Sequence, residues 1–277
     1  MSTQVSLTIG IFDGFHLGHR RLVQKTRQAA GAKGRSVLVT FPHPPEFYLP
    51  SDKRFSGLLY PLSERLKMAK ELGIDHVEVL DFCRFRQYGP LEFLEFLFDA
   101  FHPDTIVVGP NFHFGKDRRG DIPFLTRYSR NAGARVEVVP PLMQNGQRVS
   151  SSLVRFFLQC GNFSKACEFL GAPFRFFGAL ERTRENPETG WLLSRNASQL
   201  LTPAQGSYLV HHEVLGRGTV HVHVDAQSAQ ETLWFSTEKP LSPQEREEWQ
   251  GRWMELQAIS FEQQHDQDLS ACRGGCA

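Results

Sequence analysis

Gly10-Ile11-Phe12-Asp13-Gly14-Phe15-His16-Leu17-Gly18-His19 joins an apolar, β-branched run to an amphipathic one, and the kind of junction it makes decides the fold. Val5 to Ile11 has the composition of a buried strand. Leu17 to Ala30 has helical periodicity and ends at Gly31 and Gly34. Histidines at i and i+3 share one helix face. The first-turn amides of that helix are unsatisfied donors at the positive end of its dipole, so the junction is an anion site suited to a nucleotide phosphate. Gly14 and Gly18 let backbone and ligand approach where a side chain would intrude. Gly10, Phe12 and Asp13 complete the candidate turn. Asp13 orients the loop amides or a metal's water shell, or simply forms the turn.

Outward from this junction, β-branched runs alternate with amphipathic segments as far as about Gly171, the pattern of a parallel sheet covered by helices. Ser36 to Phe41 predicts a second strand, which Pro42, Pro44 and Pro45 then break. Ser63 to Gly73 predicts a helix with a serine N-cap and a terminal glycine. Val77 to Leu80 is a strand, Pro90 to Phe101 a helix, and Thr105 to Val108 a short buried strand leading into Gly109-Pro110-Asn111. A further helix and the strand Arg135 to Val139 complete the repeat. Right-handed crossovers make this a doubly wound α/β sheet, with ligands at the carboxyl ends of its strands. His16 and Asn111 both lie just past such ends. Phe93, Phe96, Phe98 and Phe101 are read as core rather than as a ligand box.

Beyond Pro173 the segments alternate like antiparallel strands: Phe174 to Leu180, Ser207 to Leu215, Thr219 to Val224 and Thr232 to Phe235. Gly216-Arg217-Gly218 is a candidate hairpin turn, and Pro243 to Gln264 a long charged helix. The expected organisation is a doubly wound α/β domain over 1–172 and a small β-barrel-like module closed by a C-terminal helix over 173–277.

Composition narrows the function. The chain has 277 residues, is 40% hydrophobic and 22% charged, and carries a formal charge of +1. That gives no global electrostatic case for nucleic acid or an anionic membrane, and no apolar run approaches the roughly 20 residues of a membrane span. A cytoplasmic protein with five reduced cysteines is expected. The oligomeric state is left open. Cys272 and Cys276 read as a frayed tail or as metal or redox ligands.

Three further stretches carry chemistry. Ser150-Ser151-Ser152 with Arg155 one turn later is either an ordinary helix cap or a grip on phosphate oxygens. Asn111-Phe112-His113-Phe114-Gly115-Lys116-Asp117-Arg118-Arg119-Gly120 is a basic, aromatic loop that could stack an aromatic ligand and neutralise a phosphate. His43, in Phe41-Pro42-His43-Pro44, is a turn residue or a ligand contact.

In order and spacing, these motifs over residues 5 to about 180 resemble the adenylyltransferase domain of the bacterial FAD synthetases, bifunctional riboflavin kinase/FMN adenylyltransferases. The resemblance implies transfer of AMP from Mg²⁺-bound ATP to FMN, with FAD and pyrophosphate as products. It implies ATP contacts at Gly10, Phe12, Asp13, Gly14, His16, Gly18, His19, Ser151, Ser152 and Arg155, of which His16, His19, Ser151 and Arg155 serve catalysis. Flavin contacts are implied at His43, Asn111, Phe112, Phe114 and Arg118, and no protein-held metal. The chain departs from the family in a proline turn one residue shorter, in Asn111 for aspartate and in Ser152 for threonine. The second module lacks the kinase's Gly-aromatic-Pro-Thr-Ala-Asn signature. Gly190-Trp191-Leu192-Leu193-Ser194-Arg195-Asn196 stands there without the proline or threonine, which puts kinase activity in question. A bifunctional enzyme and a non-catalytic flavin- or nucleotide-binding protein are the alternatives.

Overall fold

Four of the five residues of Val5–Ile9 (β1) are buried, as in a strand covered on both faces. The structure, a computed structural model, describes residues 3–48, 55–182, 190–195, 199–224 and 231–262. After β1 come α1 (Leu17–Ala30), β2 (Arg35–Thr40), α2 (Leu62–Glu71), β3 (His76–Val79), the single-turn α3 (Phe82–Phe85) and α4 (Pro90–Phe101). Then follow β4 (Thr105–Val108), α5 (Ile122–Asn131), β5 (Arg135–Val138) and a minimal hairpin of β6 (Met143–Gln144) and β7 (Gln147–Arg148).

Strands β1 to β5 form one parallel sheet in the order β3-β2-β1-β4-β5. The direction of winding reverses between β1 and β4, where doubly wound sheets bind ligands. Helix α1 packs on β1, β2 and β4. Phe93, Leu94 and Leu97 of α4 and Leu125 of α5 share a buried cluster with Leu7, Ile9, Val37, Val39, Ile106 and Val108. Phe96, Phe98 and Phe101 pack against the same cluster, so the aromatic residues of α4 are core. The sheet, α1, α4 and β4 are as the sequence predicts. Two ends differ. Strand β1 stops at Ile9 because the chain turns into a left-handed conformation by Phe12. Helix α2 begins at Leu62, which puts Ser63 inside its first turn instead of at the cap.

The chain divides into two compact units, one holding the described residues to Phe55 and from Leu62 to Val149, the other Ser56–Pro61 and the described residues from Ser150 onward. In this division α6 (Ser151–Gln159) and α7 (Phe163–Leu170) go with the second unit, since they pack on each other and α7 packs on its last strand. Ser56–Pro61 joins that unit through Leu58, whose N–H donates to Gln199 O at 2.6 Å and whose carbonyl accepts from Leu201 N at 2.7 Å. Tyr60 is buried against Phe174 and Phe177.

The second unit continues with β8 (Arg175–Arg182), β9 (Gly190–Ser194), β10 (Gly206–His212), β11 (Gly216–Val224), β12 (Glu231–Thr237), α8 (Pro243–Trp249) and β13 (Trp253–Glu262). These strands close an antiparallel barrel in the order β10-β11-β12-β9-β8-β13. Alternate residues fill it, among them Trp191, Leu193, Tyr208, Val210, Val220, Phe235, Met254 and Leu256. The hairpin turn expected at 216–218 is strand: Gly218 pairs with Val210 and Thr237, and a Cβ there would meet Ser236 O at 2.4 Å. The C-terminal helix is present as α8, but its expected run to Gln264 is overturned. Gly251, at φ 74°, ends the turn, and Trp253 onward buries Met254, Leu256 and Ala258 with the period of a strand. Cys83 and Cys167 are free thiols, whereas Cys272 and Cys276 lie outside the described residues. Among the described residues no helix is long and apolar enough to cross a membrane.

Candidate active site

The turn after β1 is built on two phenylalanines in conformations that bulky residues rarely adopt. Phe12 (φ 53°) and Phe15 (φ 41°) are left-handed, and Gly14 between them has φ 80°. Such residues cost on the order of 1–3 kcal/mol each and persist only where packing over-determines them. Here both rings are buried and stack at 5.6 Å. Gly10 leaves room for the Phe12 ring, whose Cε2 would lie 3.2 Å from a Cβ. Asp13 is also buried, within the turn.

The turn delivers His16 to the N-cap of α1, where its Nδ1 accepts the His19 N–H at 3.3 Å. That bond needs the Nδ1 lone pair, so the neutral ring carries its proton on Nε2. The His19 ring lies 3.7 Å from that of His16, nearly parallel at 19°. With Nδ1 engaged at the cap, His16 has Nε2–H left to donate outward, and the His19 ring is held flat beside it. A Cβ on Gly18 would meet His16 Nδ1 and Cε1 at 3.2 Å. The motif thus presents an imidazole pair at the N-terminus of α1, at the carboxyl end of the central strand.

The turn after β2 places His43 flat on Phe47, centroids 3.9 Å apart, with Tyr48 edge-on and its hydroxyl 3.5 Å from His43 Nδ1. Tyr48 stacks on Phe82, and Phe47 meets Phe55 edge-on. Burial, then the nearby Cys83 and Asp81, push the Tyr48 hydroxyl above its ordinary pKa. This aromatic set was not read from the sequence beyond His43 itself.

After β4, Phe114 and Gly120 exchange backbone hydrogen bonds of 3.0 and 2.9 Å and close a small loop. Phe114 belongs to the buried core, against Phe93 and Phe124, and Phe112 stacks on it at 5.4 Å. Asn111 and Arg118 are exposed. Arg118 Nη2 lies 3.3 Å from His113 Nδ1, which itself lies 3.0 Å from Asn111 O. Phe114 therefore anchors the loop, and Phe112, Asn111 and Arg118 are what it presents.

A second residue absent from the sequence reading is Arg65, 2% exposed, whose guanidinium donates to carbonyls of both the first turn and the second. Burial lowers its pKa, opposed by the charge of Asp13. Its signal in the sequence is a cation on the buried stripe of α2, one helical turn before Met68 and Ala69.

On the second unit, Ser150 is the N-cap of α6, accepting the Leu153 N–H at 3.2 Å. Ser151 and Ser152 are the first helical residues, and Arg155 Nε donates to Gly57 O at 2.8 Å. Among the described residues no three His, Cys, Asp or Glu side chains come together as a metal site.

A family model described as FAD synthetase matches residues 1–153. A bifunctional riboflavin kinase/FMN adenylyltransferase of Pseudomonas fluorescens is 34% identical over 220 residues, 76% of this chain and 68% of that protein. The chain belongs to the FAD synthetase family. It is therefore related to enzymes of FAD synthesis, and a FAD synthetase of Listeria monocytogenes is 29% identical over 176 residues, 63% of this chain and 72% of that protein. A crystal structure of a macrolide-efflux protein from Streptococcus pneumoniae shares the fold, with a TM-score of 0.79 over 98% of this chain and 90% of that one at 22% identity.

Proposed function

We propose that this member of the FAD synthetase family is an FMN adenylyltransferase. The FMN phosphate attacks the α-phosphorus of ATP, its P–O bond forms as the bond to pyrophosphate breaks, and FAD and pyrophosphate leave. The observation that carries the reading is the His16–His19 stack on the N-terminus of α1, at the carboxyl end of the central strand where winding reverses. In-line phosphoryl chemistry needs positioning and stabilisation of growing negative charge rather than a covalent intermediate. His16, donating through Nε2, holds a phosphate oxygen in the ground state. His19, stacked on it, stabilises the negative charge that develops on the leaving group. Gly10, Phe12, Asp13, Gly14 and Gly18 shape the turn that receives the nucleotide.

The aromatic set around His43 and the Asn111, Phe112 and Arg118 loop supports a flat, phosphorylated second substrate at the neighbouring strand ends. Phe114 contributes by anchoring that loop. The assignment of Ser151, Ser152 and Arg155 to the leaving pyrophosphate rests on the resemblance alone. Magnesium arriving on ATP would neutralise phosphate charge, and no protein cage for it is invoked.

Riboflavin kinase activity is assigned no site. Arg195 Nη2 donates to Thr202 Oγ1 at 2.6 Å and lies 3.7 Å from Glu231 Oε2, so a guanidinium occupies the polar corner beside β9. Chromatography of the purified protein with Mg-ATP and either FMN or riboflavin tests the whole reading. FAD from FMN and no product from riboflavin is expected. FMN or FAD from riboflavin would restore the kinase, and no product from either substrate would refute the enzyme reading. His19→Ala is expected to lower kcat by roughly 100-fold or more while ATP affinity changes by less than about fivefold; equal losses in both would remove His19 from the transition state.

A further inference from the structure

Arg65 is a charge buried where burial is costly. Its guanidinium Nη1 donates to Ile11 O at 2.7 Å and to Phe41 O at 3.2 Å, and Nη2 donates to Pro42 O. Nη1 also lies 3.5 Å from Thr40 Oγ1, which itself donates to Ile11 O at 3.2 Å. Its buried Nε has no hydrogen-bond partner among the described residues. A buried donor left unpaired costs on the order of 1–3 kcal/mol, and an apolar side chain of similar volume often serves stability at least as well as a buried charge. What the guanidinium supplies, and an apolar residue cannot, is a rigid planar fork joining two separate loops. One is the turn that delivers His16 from β1. The other is the proline turn that carries His43 from β2.

We propose that Arg65 is a positioning residue that fixes the turn after β1 and the turn after β2 to each other, so that two substrates bound at neighbouring strand ends meet in line. The proposal rests on the FMN adenylyltransferase reading and adds to it the residue that sets the register between the two binding turns. The geometry is economical for this task. Residue 65 lies 54 positions from Ile11 and 23 from Pro42 in the chain, so one side chain reaches both turns from a third element, whereas the backbone bond from Gly10 N to Val39 O at 3.1 Å reaches β2 and not its turn. Among the described residues, Thr40 Oγ1 on Ile11 O is a second, weaker strut between the same segments. A misplacement of about 1 Å between reacting groups costs on the order of 100-fold in rate while leaving each binding site intact.

Wild-type protein, Arg65→Lys and Arg65→Met are compared by steady-state FAD synthesis, with KM for ATP and for FMN read separately, and by amide hydrogen exchange over residues 10–16 and 41–48. For Arg65→Met, kcat is expected to fall roughly 30- to 100-fold with each KM within about threefold of wild type, and exchange to quicken in both segments together. Arg65→Lys, which keeps the charge but not the fork, is expected to lie between. An unchanged kcat, or losses carried equally by both KM values, would overturn the positioning role. Faster exchange in one segment only, or spread evenly over the whole sheet, would overturn the link itself. A wild-type protein that makes no FAD would instead refute the adenylyltransferase reading, and the exchange comparison, which needs no turnover, would still decide whether Arg65 joins the two turns.

Discussion

Gly18 sits in the first turn of α1 with a neighbour, the His16 ring, that a β-carbon would crowd at 3.2 Å. Helix propensity alone makes Gly18→Ala stabilising by up to about 1 kcal/mol. The variant is therefore expected to melt at or slightly above the wild-type temperature while kcat falls at least about tenfold, because the imidazole that holds the phosphate must give way at its cap. Differential scanning and steady-state kinetics on the same preparation check both halves. His16 separates its two duties in a second pair of variants. Asn is a good N-cap and Ala is not, so His16→Asn is expected to keep about 1 kcal/mol of stability that His16→Ala loses, with turnover lost in both. Denaturant melts and kcat measure the split. The residues of this motif were legible because they are neighbours in the chain. Arg65 was not, since its partners are remote, although a cation on the buried face of α2 was a visible anomaly. Phe114 was legible as buried but not as core, because only the fold brings Phe93 and Phe124 to it.

Among the elements, the loop after β4 shows how an apolar anchor positions polar groups. A Cβ on Gly120 would lie 2.6 Å from the Phe114 ring, so Gly120→Ala must displace the anchor on which Phe112 stacks. It is expected to cost about 1–3 kcal/mol and to weaken FMN binding more than ATP binding, read by titration with each ligand. The parallel sheet was readable from its continuous apolar strands, since fully buried strands advertise themselves. Strand β13 was not, because Trp253, Glu255, Gln257 and Glu262 give it the charge and length of a surface helix. Only the inward side chains Met254, Leu256 and Ala258 betray a period of two. Strand β9 was passed over for the same reason, as its five residues carry only two buried side chains, Trp191 and Leu193.

For the molecule as a whole, the four tryptophans, Trp191, Trp234, Trp249 and Trp253, all belong to the barrel unit, so intrinsic tryptophan fluorescence reports that unit alone. His212 gives it a pH dependence. Its Nδ1 accepts the N–H groups of Val214 and Leu215 at 3.2 and 3.1 Å, and burial lowers its pKa, helped by His211 and opposed by Glu213 and Glu255. The unfolded chain thus takes up this proton more readily than the folded one. The contribution is present above roughly pH 6.5 and is lost as the pH falls through that value towards the lower folded pKa. The tryptophan-detected melting temperature is expected to drop between pH 7.5 and 5.5, and His212→Gln to flatten the drop; an unaltered slope in the variant would remove His212 as its cause. The division of the chain also has a consequence for its synthesis. Leu58, Leu59 and Tyr60 are almost wholly buried, yet they belong to the second unit, where Leu58 pairs with Gln199 and Leu201. On the ribosome those partners emerge about 140 residues later, roughly 7–30 seconds at ordinary elongation rates. For that interval the nascent chain carries an apolar stretch whose final neighbours do not yet exist, a window for chaperones whose length is set by the order of the two units along the message.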